Sequence, residues 1–134
     1  MGEMSLLAKT CVKISNFCTI FAEQEVISHL ADGVEVEEIL AGLHDAIAGR
    51  AFRMASKLKI EGEVVFTGGV AKNIGMVKAM EKHLGRPVHV CKEPLITGAL
   101  GAALLGKVQA EKAIKKGIPV ETKERRLEQA RFFN

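Results

Sequence analysis

The stretch from Val64 to Cys91 constrains the fold more than any other part of the chain. Val64-Val65-Phe66-Thr67 is apolar and β-branched, the composition of a strand buried on both faces. Gly68-Gly69 breaks that run. Lys72 to Leu84 then reads as a helix with Ile74, Val77, Met80 and Leu84 on one side. Gly85 closes the helix, and Pro87-Val88-His89-Val90-Cys91 reads as a second strand. Two strands joined through a helix pair in parallel with a right-handed crossover. The expected class is therefore α/β, with helices packed on a small mixed sheet.

The segments before this unit are mostly helical. Gly2 to Val12 is a weak helical stretch, and Cys18-Thr19-Ile20-Phe21 reads as a short strand. A helix over about Ala22–Ala31 places Val26, Ile27 and Leu30 at helical spacing, and Asp32-Gly33 ends it. The longest helix is expected over Val36–Leu58. Its Ile39, Leu40, Leu43, Ile47, Ala51, Met54 and Leu58 repeat every three or four residues as one buried stripe. Gly42 and Gly49 each cost such a helix about 1 kcal/mol relative to alanine, which points to close packing at both. After Pro94, Thr97 to Gly106 is a glycine- and alanine-rich helix start, and Glu121 to Asn134 reads as a charged helix or loose tail.

Composition narrows the function without naming it. With no Trp, no Tyr and six Phe there is no stacking platform for nucleic acid. The chain contains no apolar run of eighteen residues, so no membrane-spanning helix is expected, and its first residues lack the pattern of a signal peptide. Three cysteines at unequal spacing form neither a disulfide framework nor a zinc pair, and fit a reducing, cytoplasmic setting.

Three segments are able to carry chemistry. Phe66-Thr67-Gly68-Gly69-Val70-Ala71-Lys72-Asn73 places two glycines between a strand and a helix. There the backbone turns sharply and offers amide donors and a helix dipole to a nucleotide. An ordinary strand-to-helix turn has the same residues. Thr97-Gly98-Ala99-Leu100-Gly101-Ala102-Ala103 suits one wall of a flat ligand slot, but tight helix–sheet packing requires the same pattern and, taken alone, is the favoured reading. Cys18 precedes a helix, a position that favours a thiolate in general. Cys11 and Cys91 read as structural residues in apolar surroundings. His29, His44, His83 and His89 pair with no cysteine or carboxylate at ligand spacing, and no role follows for them.

In register, these segments resemble a known family. Phe17 to Ser28 (FCTIFAEQEVIS), Phe66 to Asn73 (FTGGVAKN) and Gly98 to Leu104 (GALGAAL) are similar to the C-terminal part of the activator ATPases of 2-hydroxyacyl-CoA dehydratases. These are relatives of the ATPase subunits of benzoyl-CoA reductase. The likeness covers about Lys13–Leu105. It implies a partial actin/sugar-kinase/Hsp70-like (ribonuclease H-like) ATPase fold. It also implies a homodimer sharing one [4Fe-4S] cluster, and ATP-driven delivery of a low-potential electron to a dehydratase. Carried over, Cys18 matches one of two cluster cysteines per subunit. Gly68 and Gly69 match the adenosine motif, flanked by Ala71 and Asn73, and Gly98 to Gly101 match the helix start that follows.

The departures are as informative. The family's two aspartate-glycine phosphate and Mg²⁺ loops have no counterpart, since Asp32-Gly33 follows a helix. Lys9-Thr10-Cys11-Val12 does not match the setting of the other cluster cysteine. Residues 1–118 are thus expected to be the C-terminal part of an activator-type ATPase domain, and residues 119–134 a charged tail. The expected function is the C-terminal half of an ATP-dependent iron–sulfur activator serving a 2-hydroxyacyl-CoA dehydratase or related CoA-ester reductase. Such a half would bind ATP or ADP weakly in isolation, and would pair with itself or with a complementary N-terminal half. The alternative is a non-catalytic subdomain that packs on a partner. Neither nucleic acid nor membrane is an expected partner.

Overall fold

A computed structural model describes residues 1–119; all but the first residue of the charged tail expected over 119–134 lies outside the described residues. The chain divides into two compact units, Met1–Thr97 and Gly98–Asn134. The first unit contains α1 (Gly2–Ser5), α2 (Thr19–Ala31), α3 (Val36–Ala55), β1 (Val64–Phe66), a 3₁₀ turn over Gly69–Lys72, α4 (Ile74–Leu84) and β2 (Val88–Val90). A fifth helix, α5 (Thr97–Lys115), makes up the described part of the second unit.

The strand–helix–strand unit forms as its sequence dictates. β1 and β2 pair in parallel, with Val64 opposite Val88 and Phe66 opposite Val90. Gly85 takes φ +65°, the left-handed conformation that ends α4. Glu81 ties the second strand to that helix: its Oε1 accepts the Val88 amide at 3.1 Å while Oε2 takes Lys78 Nζ at 2.7 Å. The expectation that β1 is buried on both faces does not hold. Val65 is 58% exposed, because in the described residues the sheet has one covered side.

Elsewhere the pattern of burial departs from the periodicity. Cys18 to Phe21 is not a strand: Cys18 takes an extended conformation as the residue before α2, and its carbonyl accepts the Ala22 amide at 3.1 Å. β-Branched and aromatic residues at 19–21 favour a strand only where a partner strand exists, and among the described residues none lies beside them. The weak helical stretch at the start shortens to α1. α3 ends at Ala55, short of the expected Leu58; its buried face is Ile39, Leu40, Gly42, His44, Ala46, Ala48 and Gly49, whereas Ile47 and Met54, and Leu58 beyond its end, are exposed. The expected stripe is rotated because α3 is approached closely on its small-residue side. A Cβ at Gly42 would collide with the Val12 carbonyl, and one at Gly49 would stand 3.1 Å from His83 Cε1.

A small cluster forms in the first unit, where Ile14, Ile39 and Ala46 gather Val12, Ala22, Val26, Val34 and Leu43 around them. Met76 and Val77 of α4, Ala71 and Val88 are also buried. α3 packs on α1 and α4, which also touch each other. Among the described residues, α5 has none that is buried. None of the described helices is long and apolar enough to cross a membrane.

Candidate functional site

The glycine turn is built from β1 outward. Gly68 adopts φ +89°, a conformation that a residue with a Cβ enters only under strain, and so reverses the chain after the strand. Its amide donates to the Pro94 carbonyl at 2.9 Å, which pins the turn to the loop after β2. The Ala71 amide donates to Gly68 O at 3.2 Å and the Asn73 amide to Val70 O at 3.0 Å. Among the described residues, the Gly69 and Val70 amides find no partner. The turn therefore presents two donors rather than a full ring of them.

Gly69 is exposed and a Cβ there would meet only Leu95 Cδ2 at 3.5 Å, ordinary contact. The space before it is a shallow cleft of about 440 Å³, lined by Met1 to Met4 of the α1 segment together with Gly69, Lys72, Asn73 and Ile74. Ala71 is 4% exposed and contributes packing. The Asn73 side chain caps α4: its Oδ1 accepts the Met76 amide at 3.1 Å. Gly98 and Gly101 lie on the first turns of α5, where an added Cβ would meet nothing within 4 Å.

Cys18, at the start of α2, is half-buried. It lines a 290 Å³ apolar pocket with Ile14, Ala22, Leu43, Ala46 and Ile47 among others. Cys11 and Cys91 are exposed, not enclosed in apolar surroundings as the sequence suggested. Cys91 Sγ sits 3.3 Å from Thr97 Oγ1. Burial pushes the Cys11 thiol up, and the Asp45 carboxylate adds to that, against Lys82. Among the described residues no three His, Cys, Asp or Glu side chains gather as a ligand set. A [4Fe-4S] cluster takes four thiolates, so the residues of one chain do not fit it.

Sequence reasoning passed over the histidines, and two of them have partners. His44 is 8% exposed, with Nδ1 2.9 Å from Ser5 Oγ and Nε2 3.1 Å from Asn73 Nδ2. His83 Nε2 lies 3.2 Å from Asp45 Oδ1, which also takes Lys82 Nζ at 2.9 Å. Burial pushes the Asp45 carboxyl up, but the hydrogen bond and charge of Lys82, with His83, outweigh it and hold the group below its ordinary value. These pairs join α3 to α1, and to α4 and its N-cap, across 29 to 39 positions of sequence, a separation that no local motif reveals.

Residues 1–106 match the BadF/BadG/BcrA/BcrD ATPase family. The chain is 40% identical over 116 residues to the 2-hydroxyisocaproyl-CoA dehydratase activator of Clostridioides difficile, covering 87% of this chain and 44% of that protein. It is 46% identical over 112 residues to the activator of lactoyl-CoA dehydratase of Anaerotignum propionicum, covering 84% and 43%. The solved structure of the Clostridium difficile activator with bound ADPNP superposes with a TM-score of 0.80 at 38% identity, over 90% of this chain and 45% of that one. The chain thus spans less than half the length of the curated relatives it matches.

Proposed function

Because the chain belongs to the BadF/BadG/BcrA/BcrD ATPase family, we propose that it supplies the adenosine-side portion of the nucleotide site of an ATP-dependent activator. The fold is that of the actin-like activator ATPases. The observation that carries the reading is the turn itself. A parallel strand runs into Gly68 at φ +89°, then into an exposed Gly69 with two spare amides and a cleft in front of it. That backbone admits a flat, uncharged group and offers little to a triphosphate. Phosphate and Mg²⁺ contacts have no aspartate-glycine loop to come from in these residues.

On this reading Gly68 and Gly69 face the adenosine, Ala71 and Asn73 shape the turn behind it, and Gly98 and Gly101 belong to the helix start that completes the motif. The chemistry served is electron delivery to a 2-hydroxyacyl-CoA dehydratase or a related CoA-ester reductase, in a reducing cytoplasm. Hydrolysis requires residues supplied by a further segment or chain, with a dimer as the working assembly. Cys18 is the position that the likeness assigns to a cluster thiolate, and three more thiolates must come from elsewhere.

Complementation tests this. The first half of a related activator, carrying its phosphate loops, is mixed with this chain and ATP hydrolysis is followed. Restored hydrolysis that falls on Gly69→Val supports the proposal. A stable complex with no hydrolysis favours the non-catalytic packing subdomain.

A further inference from the structure

Behind the glycine turn runs a chain of hydrogen bonds from the Gly2 carbonyl to the Met76 amide. Ser5 Oγ donates to the Gly2 carbonyl at 2.7 Å, His44 Nδ1 meets Ser5 Oγ at 2.9 Å, His44 Nε2 meets Asn73 Nδ2 at 3.1 Å, and Asn73 Oδ1 accepts the Met76 amide at 3.1 Å. The direction of each bond follows from its ends. The Met76 amide only donates, so Asn73 turns its oxygen there and its NH₂ toward His44. An NH₂ only donates, so His44 Nε2 is the acceptor and the ring proton sits on Nδ1. Ser5 accepts that proton and passes its own to Gly2. The chain is consistent for one tautomer of a neutral imidazole and no other state.

We propose that His44 is a positioning residue for the glycine turn: acting through Asn73, it fixes the junction where the 3₁₀ turn over Gly69–Lys72 enters α4, and its protonation releases that junction. The inference rests on the reading of this turn as the adenosine-facing edge. A proton on Nε2 would set two donors against each other. Asn73 would then have to flip and present its NH₂ to the Met76 amide, losing the cap. Burial, and next the Met1 α-amino charge, hold the imidazole below its ordinary value of 6.5. The charged and titratable groups sharing its surroundings are the α-amino group of Met1, Cys11, Asp45 on α3, and Lys78 and Lys82 on α4. The one carboxylate among them, Asp45, is engaged by Lys82 and His83.

The test is ¹⁵N NMR of the full chain between about pH 7.5 and about pH 5, the range over which a histidine titrates. The Asn73 side-chain NH₂ and the Gly69 and Val70 amides are expected to shift together, with one midpoint below the ordinary histidine value. His44→Gln keeps an acceptor at the Nε2 position and should hold these signals at their neutral-pH positions throughout. His44→Asn keeps a donor toward Ser5 but abandons Asn73, and should displace them at every pH. Adenosine, added as the probe, should bind the wild type several-fold more weakly at the acid end and His44→Gln equally at both ends. The inference is overturned if the turn ignores pH in the wild type, if His44→Gln titrates like it, or if adenosine binds with no dependence on residue 44. A turn that follows His44 yet shows no response to adenosine supports the positioning role and removes the nucleotide reading instead.

Discussion

At position 75 there is no room for a side chain. A Cβ there would collide with Ser5 Oγ and come within 2.7 Å of the Gly2 carbonyl. Gly75→Ala is therefore expected to cost about 1–3 kcal/mol by overpacking, read as a lower denaturant midpoint, while Gly69→Ala leaves the midpoint nearly unchanged. That contrast was half legible: helical glycines at 42 and 49 announced close packing, but nothing local distinguishes Gly75 from an ordinary first-turn glycine. The histidine network gives a signed pH dependence. Because folding lowers the affinity of His44 for its proton, the unfolded chain protonates first as pH falls. Stability is full above about pH 6.5 and declines below it, until the folded-state value is passed. Thermal melts of wild type and His44→Gln check this: the variant should lack that step. For Cys18, anaerobic reconstitution with iron and sulfide should yield little of the broad visible absorption of a [4Fe-4S] centre. A stoichiometric cluster surviving Cys18→Ala would contradict the assignment.

Among the elements, the strand–helix–strand unit was the most legible because two signals agreed there: a β-branched run ending in two glycines, and a helix closed by Gly85 at φ +65°. Where only one signal was present, the reading failed. Thr19 to Phe21 has strand composition but, among the described residues, no strand to pair with, and Cys18 caps a helix that starts at Thr19 instead. The α3 stripe was placed by periodicity alone, while the close approach of α4 and of the Val12 segment selects its small residues for burial. The 3₁₀ turn over Gly69–Lys72 left no signal, since its geometry follows from the Gly68 and Asn73 contacts at its ends. At the α4 junction, Asn73→Ala should cost about 1 kcal/mol or more, because it removes the cap and orphans His44 Nε2. Asn73→Asp keeps an oxygen for the Met76 amide but gives the imidazole an acceptor, so the His44 midpoint should rise. An NMR titration of both variants reads it directly.

For the molecule as a whole, the described residues bury nine hydrophobic side chains and leave twenty-five large ones exposed. Exposed apolar side chains in that number among the described residues present surface suited to another protein. Self-association, or binding of an exposed-surface dye, is the expected behaviour at roughly tens of micromolar; sedimentation showing a clean monomer with no dye response would contradict it. The family likeness was readable from three segments in register, and the relatives are more than twice as long as the matched region. The most direct measurement is calorimetry of the chain with ATP, ADP and AMP, with and without Mg²⁺. A site holding only adenosine should bind all three alike, no tighter than roughly millimolar, worth about 4 kcal/mol, and lose binding on Gly69→Val. Micromolar, Mg²⁺-dependent preference for ATP, or no binding of any nucleotide, would contradict it.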